Sequence, residues 1–217
     1  VDVRAVIFDL WGTLIPFASD RWERGFESMA EALGVPREQF ERVWRDGYEQ
    51  RLVSDLRSSV EYACGVLGVT RADAIEEAFR LRVEMHRETF APREDAVPTL
   101  RELRARGYPI GLVTNCSSEV PELVSESSLA GLFDVEVFSC RAGLRKPDHK
   151  IYRLATAQLG VEPQLCLYVG DGGDHELVGA SDLGMQAVLL RPGDTRPPED
   201  WQGPEITRLA QVLELVP

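Results

Sequence analysis

The chain has 217 residues and a formal net charge of −12 at pH 7. That length is ample for one buried core carrying a large insert. The charge excludes binding to nucleic acid or an anionic membrane by bulk attraction, and no apolar run is long enough to cross a bilayer.

The chain opens on Val3–Phe8, short, apolar and β-branched, which predicts a buried strand. It runs into a polar turn, Asp9-Leu10-Trp11-Gly12-Thr13-Leu14. Four helical faces follow. Trp22, Phe26, Met29, Ala30 and Leu33 form the first, and Phe40, Val43, Trp44, Tyr48 and Leu52 the second. Val60, Ala63, Cys64 and Leu67 form the third, and Ile75, Phe79, Val83, His86 and Phe90 the fourth. The spacing predicts no strand between about residues 16 and 92. From Pro92 onward helices and apolar runs alternate. The predicted strands are 110–114, 135–138, 165–169 and 187–190; the predicted helices are 96–106, 119–129, 148–159, 175–183 and 205–215. The Pro/Gly-rich stretch 192–204 reads as an exposed loop. Leu-Gly-Val recurs at 33–35, 67–69 and 159–161 as repeated helix-ending chemistry. Alternation of this kind predicts a parallel sheet with helices on both faces. The fold class is therefore α/β, a Rossmann-like parallel-sheet core over 1–15 and 93–217 with an inserted α-helical cap domain over 16–92.

Four cysteines, at 64, 116, 140 and 166, show no metal-knuckle or redox spacing. They read as reduced, packed thiols, and the expected location is cytoplasmic. Only two of the 24 basic residues are lysines, Lys146 and Lys150.

In open parallel sheets, ligands bind beyond the carboxyl ends of the strands. Asp9 stands after the first strand and Thr114-Asn115 after the second. Gly170-Asp171-Gly172-Gly173-Asp174-His175-Glu176 follows the fourth, and Arg145-Lys146-Pro147-Asp148 precedes a helix, with the proline placed to start it. Each alone is an ordinary turn or helix cap. Together they bring carboxylates, one lysine and a hydroxyl-amide pair to one rim.

These segments resemble the four motifs of the haloacid dehalogenase-like hydrolases, in order, over essentially the whole chain. Val6–Leu14 resembles the nucleophile loop, Val113-Thr114-Asn115 the second motif, Lys146-Pro147 with Ile151-Tyr152 the third, and Val169–Ala180 with Gly184-Met185 the fourth. The helical insertion falls where that family carries its type-1 cap. The resemblance implies Asp9 as nucleophile, forming an aspartyl-phosphate. Lys146 would keep Asp9 ionised, and Thr114 and Asn115 would donate to phosphoryl oxygens. Mg²⁺ would be held by Asp9, the backbone carbonyl of Trp11, Asp171 and Glu176, the last through a water. Trp11 and Gly12 of the loop, and Arg51 at a helix junction of the cap, are the residues assigned to substrate. The implied partner is a small phosphorylated molecule, with neither nucleic acid nor membrane.

One position departs from the pattern. Phosphatases of the family usually carry a second Asp two residues after the nucleophile, as general acid and base; here it is Trp11, and indole transfers no proton. Three readings follow: a Mg²⁺-dependent phosphohydrolase without its usual acid, a 2-haloacid dehalogenase, or a catalytically weak phosphate-binding or regulatory module. Family dehalogenases carry an aromatic Tyr at this position, but they replace the acids of the fourth motif with neutral residues, whereas Asp171 and Glu176 remain. The phosphohydrolase is the preferred expectation. Of the histidines, His86 reads as packed, and His175, in the acidic loop, as the one stand-in proton carrier. Trp22, Phe26, Trp44 and Tyr48 read as cap core rather than a ring-binding box.

Overall fold

The computed structural model describes residues 2–17, 19–193 and 198–217. Strand β1 (Ala5–Phe8) is followed by a helical segment with no strand: α1 (Ser19–Leu33), α2 (Arg37–Asp46), α3 (Tyr48–Arg51), α4 (Leu56–Val66) and α5 (Ala72–Thr89). The predicted second face, 40–52, is two helices rather than one. Arg51 lies in the shorter of them, beyond the break at Gly47. α4 starts where the Asp55 side chain accepts the Ser58 backbone N–H at 2.8 Å. The segment has its own apolar cluster, with Met29, Phe40, Trp44, Val60, Cys64 and Ala78 at its centre.

The remaining elements are α6 (Ala96–Ala105), β2 (Ile110–Thr114), α7 (Val120–Glu126), β3 (Val135–Phe138), α8 (Ser139–Ala142), α9 (His149–Leu159), β4 (Cys166–Gly170), α10 (Glu176–Asp182), β5 (Gln186–Leu190), β6 (Glu205–Ile206) and α11 (Val212–Leu215). The six strands form one sheet in the order β3-β2-β1-β4-β5-β6, and every neighbouring pair is parallel. The α/β class and the parallel core are as the alternation predicts.

Side chains sort by the strand period of two. Val6, Phe8, Leu112, Val169 and Val188 join one core layer with Leu100 and Leu103 of α6. Ala5, Ile7, Val113, Tyr168 and Leu189 join the other with Ile151 of α9 and Leu177 of α10. Each large side chain so buried contributes about 1.5–3 kcal/mol.

The repeated Leu-Gly-Val ends its helices as expected. Gly34, Gly68 and Gly160 have φ of +70°, +72° and +67°. The N–H of the following valine then reaches back to the carbonyls of Ala30, Cys64 and Thr156 at 3.1, 2.8 and 3.1 Å.

The C-terminal segment differs from its prediction. In place of a helix over 205–215, Glu205–Ile206 pairs with β5 and only Val212–Leu215 is α-helical. The backbone hydrogen bonds Leu189 N–H to Pro204 O (3.0 Å) and Arg191 N–H to Ile206 O (2.8 Å) complete the sheet edge. Of the loop read over 192–204, residues 194–197 lie outside the described ones, and Trp201 packs against the second core layer instead of standing in solvent. Pro147 does not start its helix either. Asp148 caps α9 by accepting the Lys150 N–H at 2.9 Å.

Candidate active site

β1 is the centre of the sheet, and the chain passes to β2 on one side and later to β4 on the other. The carboxyl ends of β1, β2 and β4 therefore meet where the strand order reverses, the place where such sheets bind ligands. Asp9 leaves β1 there, and its N–H donates to Val169 O of β4 at 2.9 Å. The loop that follows is tightly held. Gly12 N–H donates to Ile15 O at 2.7 Å, and the Arg93 guanidinium donates to the carbonyls of Thr13 and Gly12, each at 2.7 Å. The Arg93 backbone N–H itself donates to Leu14 O at 2.9 Å. Gly12 has φ +78°, and a Cβ there would lie 1.9 Å from Asp171 Oδ2. Only glycine lets the loop approach the β4 loop so closely.

Lys146 is buried among acids. Its Nζ donates to Asp9 Oδ1 at 2.5 Å, to Glu176 Oε2, and weakly to Tyr168 OH at 3.3 Å. The Tyr168 hydroxyl donates to Glu176 Oε2 at 2.7 Å, and Gly172 N–H donates to Glu176 Oε1 at 3.1 Å. Asn115 fixes the lysine's backbone: its Oδ1 accepts Lys146 N–H at 2.8 Å and its Nδ2 donates to Lys146 O at 3.1 Å. The same Nδ2 donates to Asp174 Oδ2 at 2.7 Å. Asn115 thus spends its donors on the protein. Thr114 is fully buried, and its Oγ1 donates a long hydrogen bond of 3.5 Å to the Asn115 carbonyl.

Asp9, Asp171 and Glu176 each offer an oxygen within 4.8 Å of the other two. Asp9 Oδ2 is buried with no hydrogen-bond partner. Burial, and then the Asp9 charge, push the Asp171 carboxyl up to about 6 and the Glu176 carboxyl up to about 8. Burial opposes the charge on Lys146, but Asp9 and Glu176 hold its pKa well above the ordinary lysine value. Three crowded carboxylates against one ammonium, with one oxygen left unpaired, form a donor set that fits a hard divalent cation.

Above this floor lies a cavity of about 590 Å³ whose other wall comes from the helical segment. Trp11 lines it, half-buried, in contact with Trp22, His86 and Phe90 at centroid distances of 5.9, 5.4 and 5.6 Å. Phe26 and Trp44 are packed in or against the helical core as predicted, yet they, Trp22 and Tyr48 all line the cavity as well. Arg51 also lines it and is only 8% exposed. Arg21, Arg24 and Arg57 instead bond Glu88 O, Asp20 and Glu76 at the surface. Gly12 and Thr114 are not among the lining residues. His175 is not either: its side chain is 76% exposed and bonds Asp200 Oδ2 at 2.6 Å, so the structure removes it as a proton carrier.

Three side-chain roles that local pattern does not reveal matter here. The buried face of α5 is Ala74, Ala78, Arg82, Met85, His86 and Thr89, one step round from the predicted row. It places Arg82 in the cavity wall. His86 Nδ1 lies against Glu119 Oε1 at the start of α7, so helical segment and core meet at a buried polar contact. Burial, reinforced by the Arg82 charge, pushes the His86 pKa down to about 4. For Glu119 burial works upward, but the hydrogen bond with His86 and the charges of His86 and Arg82 win, holding it down to about 2. The third is Tyr48, whose hydroxyl donates to Asp174 Oδ2 at 2.7 Å across the cavity mouth. A charged or polar residue on a row of small apolar ones was the available signal for Arg82; nothing in the sequence marked the long-range partners.

Comparison with known proteins agrees with this geometry. The sequence matches the family described as haloacid dehalogenase-like hydrolase over residues 3–184. It is 32% identical over 203 residues to phosphatase MT3486 of Mycobacterium tuberculosis, covering 90% of this chain and 91% of that one. It is 30% identical over 235 residues to glyceraldehyde 3-phosphate phosphatase of Methanopyrus kandleri, covering 99% and 97%. The solved 2-haloacid dehalogenase of Pseudomonas syringae superposes with a TM-score of 0.75 at 23% identity, covering 98% of this chain and 97% of that one. Phosphatases and 2-haloacid dehalogenases thus both stand among its relatives. The chain belongs to the haloacid dehalogenase-like hydrolases.

Proposed function

We propose that the protein is a phosphohydrolase acting on a small phosphate ester, with residues 16–92 as a cap over a core formed by 1–15 and 93–217. The observation that carries this reading is the triad of Asp9, Asp171 and Glu176 around the unpaired Asp9 Oδ2. A dehalogenase attacking carbon has no need of a third buried acid there. Asp9, Asp171 and the Trp11 carbonyl, backed by Glu176, would hold Mg²⁺, which neutralises charge on phosphoryl oxygens when bound.

The chain's own groups supply the rest. Lys146 holds the Asp9 carboxylate in place through Oδ1, and that carboxylate attacks phosphorus. The P–O bond to the leaving group breaks as the new bond forms, giving an aspartyl-phosphate. Water then attacks that phosphorus, releases inorganic phosphate and regenerates Asp9. Trp11 lends no proton to either step. It lines the cavity and, with Trp22, His86 and Phe90, keeps bulk water from that side.

A missing general acid costs about 10²–10⁴-fold, least where the leaving group is a weak base. Phosphate release from acetyl phosphate and p-nitrophenyl phosphate should therefore exceed release from a sugar phosphate by at least about tenfold, should require Mg²⁺, and should vanish in Asp9→Asn. Equal rates on all three would refute the missing acid. A second reading rests on Trp11, an aromatic residue where family dehalogenases carry one. Chloride release from 2-chloropropionate without phosphate release from any ester would select it.

A further inference from the structure

The cavity has two charged ends. The core supplies Lys146 among its acids; the helical segment supplies Arg51 and Arg82, with Arg37, Arg45, Glu23 and Glu41 also in its wall and Arg37 paired with Glu41. Arg82 is 5% exposed, and its Nε and Nη1 are buried with no hydrogen-bond partner. Its guanidinium carbon lies 4.9 Å from the Trp22 ring centroid and 5.4 Å from that of Trp44. Arg51 shares the Trp44 indole, at 4.3 Å, and donates one Nη1 bond to the Trp44 carbonyl. Among the described residues, neither guanidinium forms an ion pair. The carboxylate whose charge Arg82 feels, Glu119, has Oε1 against His86 Nδ1 and Ser117 Oγ (2.9 Å), and its Oε2 is buried without a hydrogen-bond partner.

Two like charges side by side in a buried aromatic wall are unfavourable, and the single Glu119 carboxylate felt by Arg82 offsets at most one of them. Ring faces offset part of that cost, but they leave in-plane N–H donors unused. Planar donors of this kind match carboxylate or phosphate oxygens.

We propose that Arg82 and Arg51 bind a second anionic group of the substrate, so that the substrate is a phosphate monoester carrying a carboxylate or a second phosphate. The first anion rests on the phosphohydrolase reading. The second does not, because the arginines lie on the opposite wall. Trp11, Trp22 and Trp44 line the space between, which suits a compact apolar linker better than a polyhydroxylated one.

The test is calorimetric titration of Asp9→Asn, which cannot form the aspartyl-phosphate, with Mg²⁺ present. The probes are ethyl phosphate, phosphoglycolate, 1,3-propanediol bisphosphate and malonate. Phosphoglycolate or the bisphosphate should bind at least about tenfold more tightly than ethyl phosphate, the scale of a charge-assisted hydrogen bond. The tighter of the two identifies the second group. Adding Arg82→Met should erase that preference while leaving ethyl phosphate affinity within about twofold; Arg51→Met gives the same readout should the first variant fail to fold. Equal affinity for ethyl phosphate, phosphoglycolate and bisphosphate overturns the proposal, whatever any arginine variant does. If no ester binds but malonate does, and Arg82→Met abolishes it, the second-anion site stands and the phosphohydrolase reading falls. If the esters bind equally and malonate does not compete, the reverse holds.

Discussion

The floor and the roof of the cavity are built on different terms. The floor stands at three strand ends of a parallel sheet, and nearly every polar atom in it is assigned. Lys146 touches two acids and a tyrosine, Glu176 uses both oxygens, and Asn115 uses all its groups. Asp9 Oδ2, the oxygen of the proposed nucleophile left without a partner, and Thr13 Oγ1 in the same loop are the exceptions. The roof stands on α3 and α5, and its cations are held by ring faces, with donors left over. Preorganisation is thus concentrated where bonds would change, while unspent binding capacity sits where a substrate would be recognised.

The sharpest way to break this comparison is at Asp9. Asp9→Asn should lower turnover by at least about 10⁴-fold, as removal of a nucleophile does, while thermal unfolding shows a folded protein. Activity within tenfold of wild type would move the chemistry off the floor. Next comes Trp11→Asp, which puts a carboxylate two residues after the proposed nucleophile. Sugar-phosphate turnover should rise by about 10²-fold or more if the lost proton transfer is limiting. The melting temperature should fall at the same time, because contacts with Trp22, His86 and Phe90 go.

Gly12→Ala tests how closely the floor is assembled. A Cβ 1.9 Å from Asp171 Oδ2, at φ +78°, should cost about 1–3 kcal/mol in urea unfolding and weaken Mg²⁺ binding with it. Metal and pH should also be linked on this side. Asp171 and Glu176 have folded pKa values raised to about 6 and about 8, so their contribution to stability is present at low pH and is lost as pH rises through those values. Without divalent cations, this contribution should decline between about pH 4 and 8. Mg²⁺ competes with the same protons, so the rise in melting temperature that it causes should grow from pH 5 to pH 8. A rise independent of pH would separate the metal from these acids.

The smallest effect belongs to the seam. Tyr48→Phe removes one hydrogen bond, from the tyrosine hydroxyl to Asp174, worth about 0.5–1.5 kcal/mol. It should speed hydrogen exchange in α2 and α3 with little change in the sheet.

The sequence made the floor legible because each of its residues stands next to a strand or a turn that local pattern locates. Asp9, Lys146, Asp171 and Glu176 do converge. The same route assigned Thr114 and Asn115 as donors, without seeing that Asn115 would be occupied by Lys146 and Asp174. The roof was hard to read because helix rows leave the orienting face open by one step. The row through Ile75, Phe79 and Val83 is as apolar as a core face requires, so spacing does not single out Arg82. His86–Glu119 and Tyr48–Asp174 join residues far apart in the chain, and no spacing rule reaches them. The C-terminal strand was missed for the opposite reason: Glu205–Ile206 is too short for a periodicity, and the edge of β5 decides its conformation.

The knot of bonds at Arg93 has a consequence for chain entropy. The helical segment departs after Leu14 and the chain rejoins the core at Arg93, and one hydrogen bond joins those two points while the Arg93 side chain grips Gly12 and Thr13. Seen from the sheet, the whole helical excursion is a loop whose ends already touch. Its length then adds only logarithmically to the cost of closing it, and a short turn between the same two anchors would satisfy the sheet equally well. The roof is in this sense an interchangeable part: its helices can be lengthened, trimmed or replaced to suit a different ligand without re-registering a single strand beneath it.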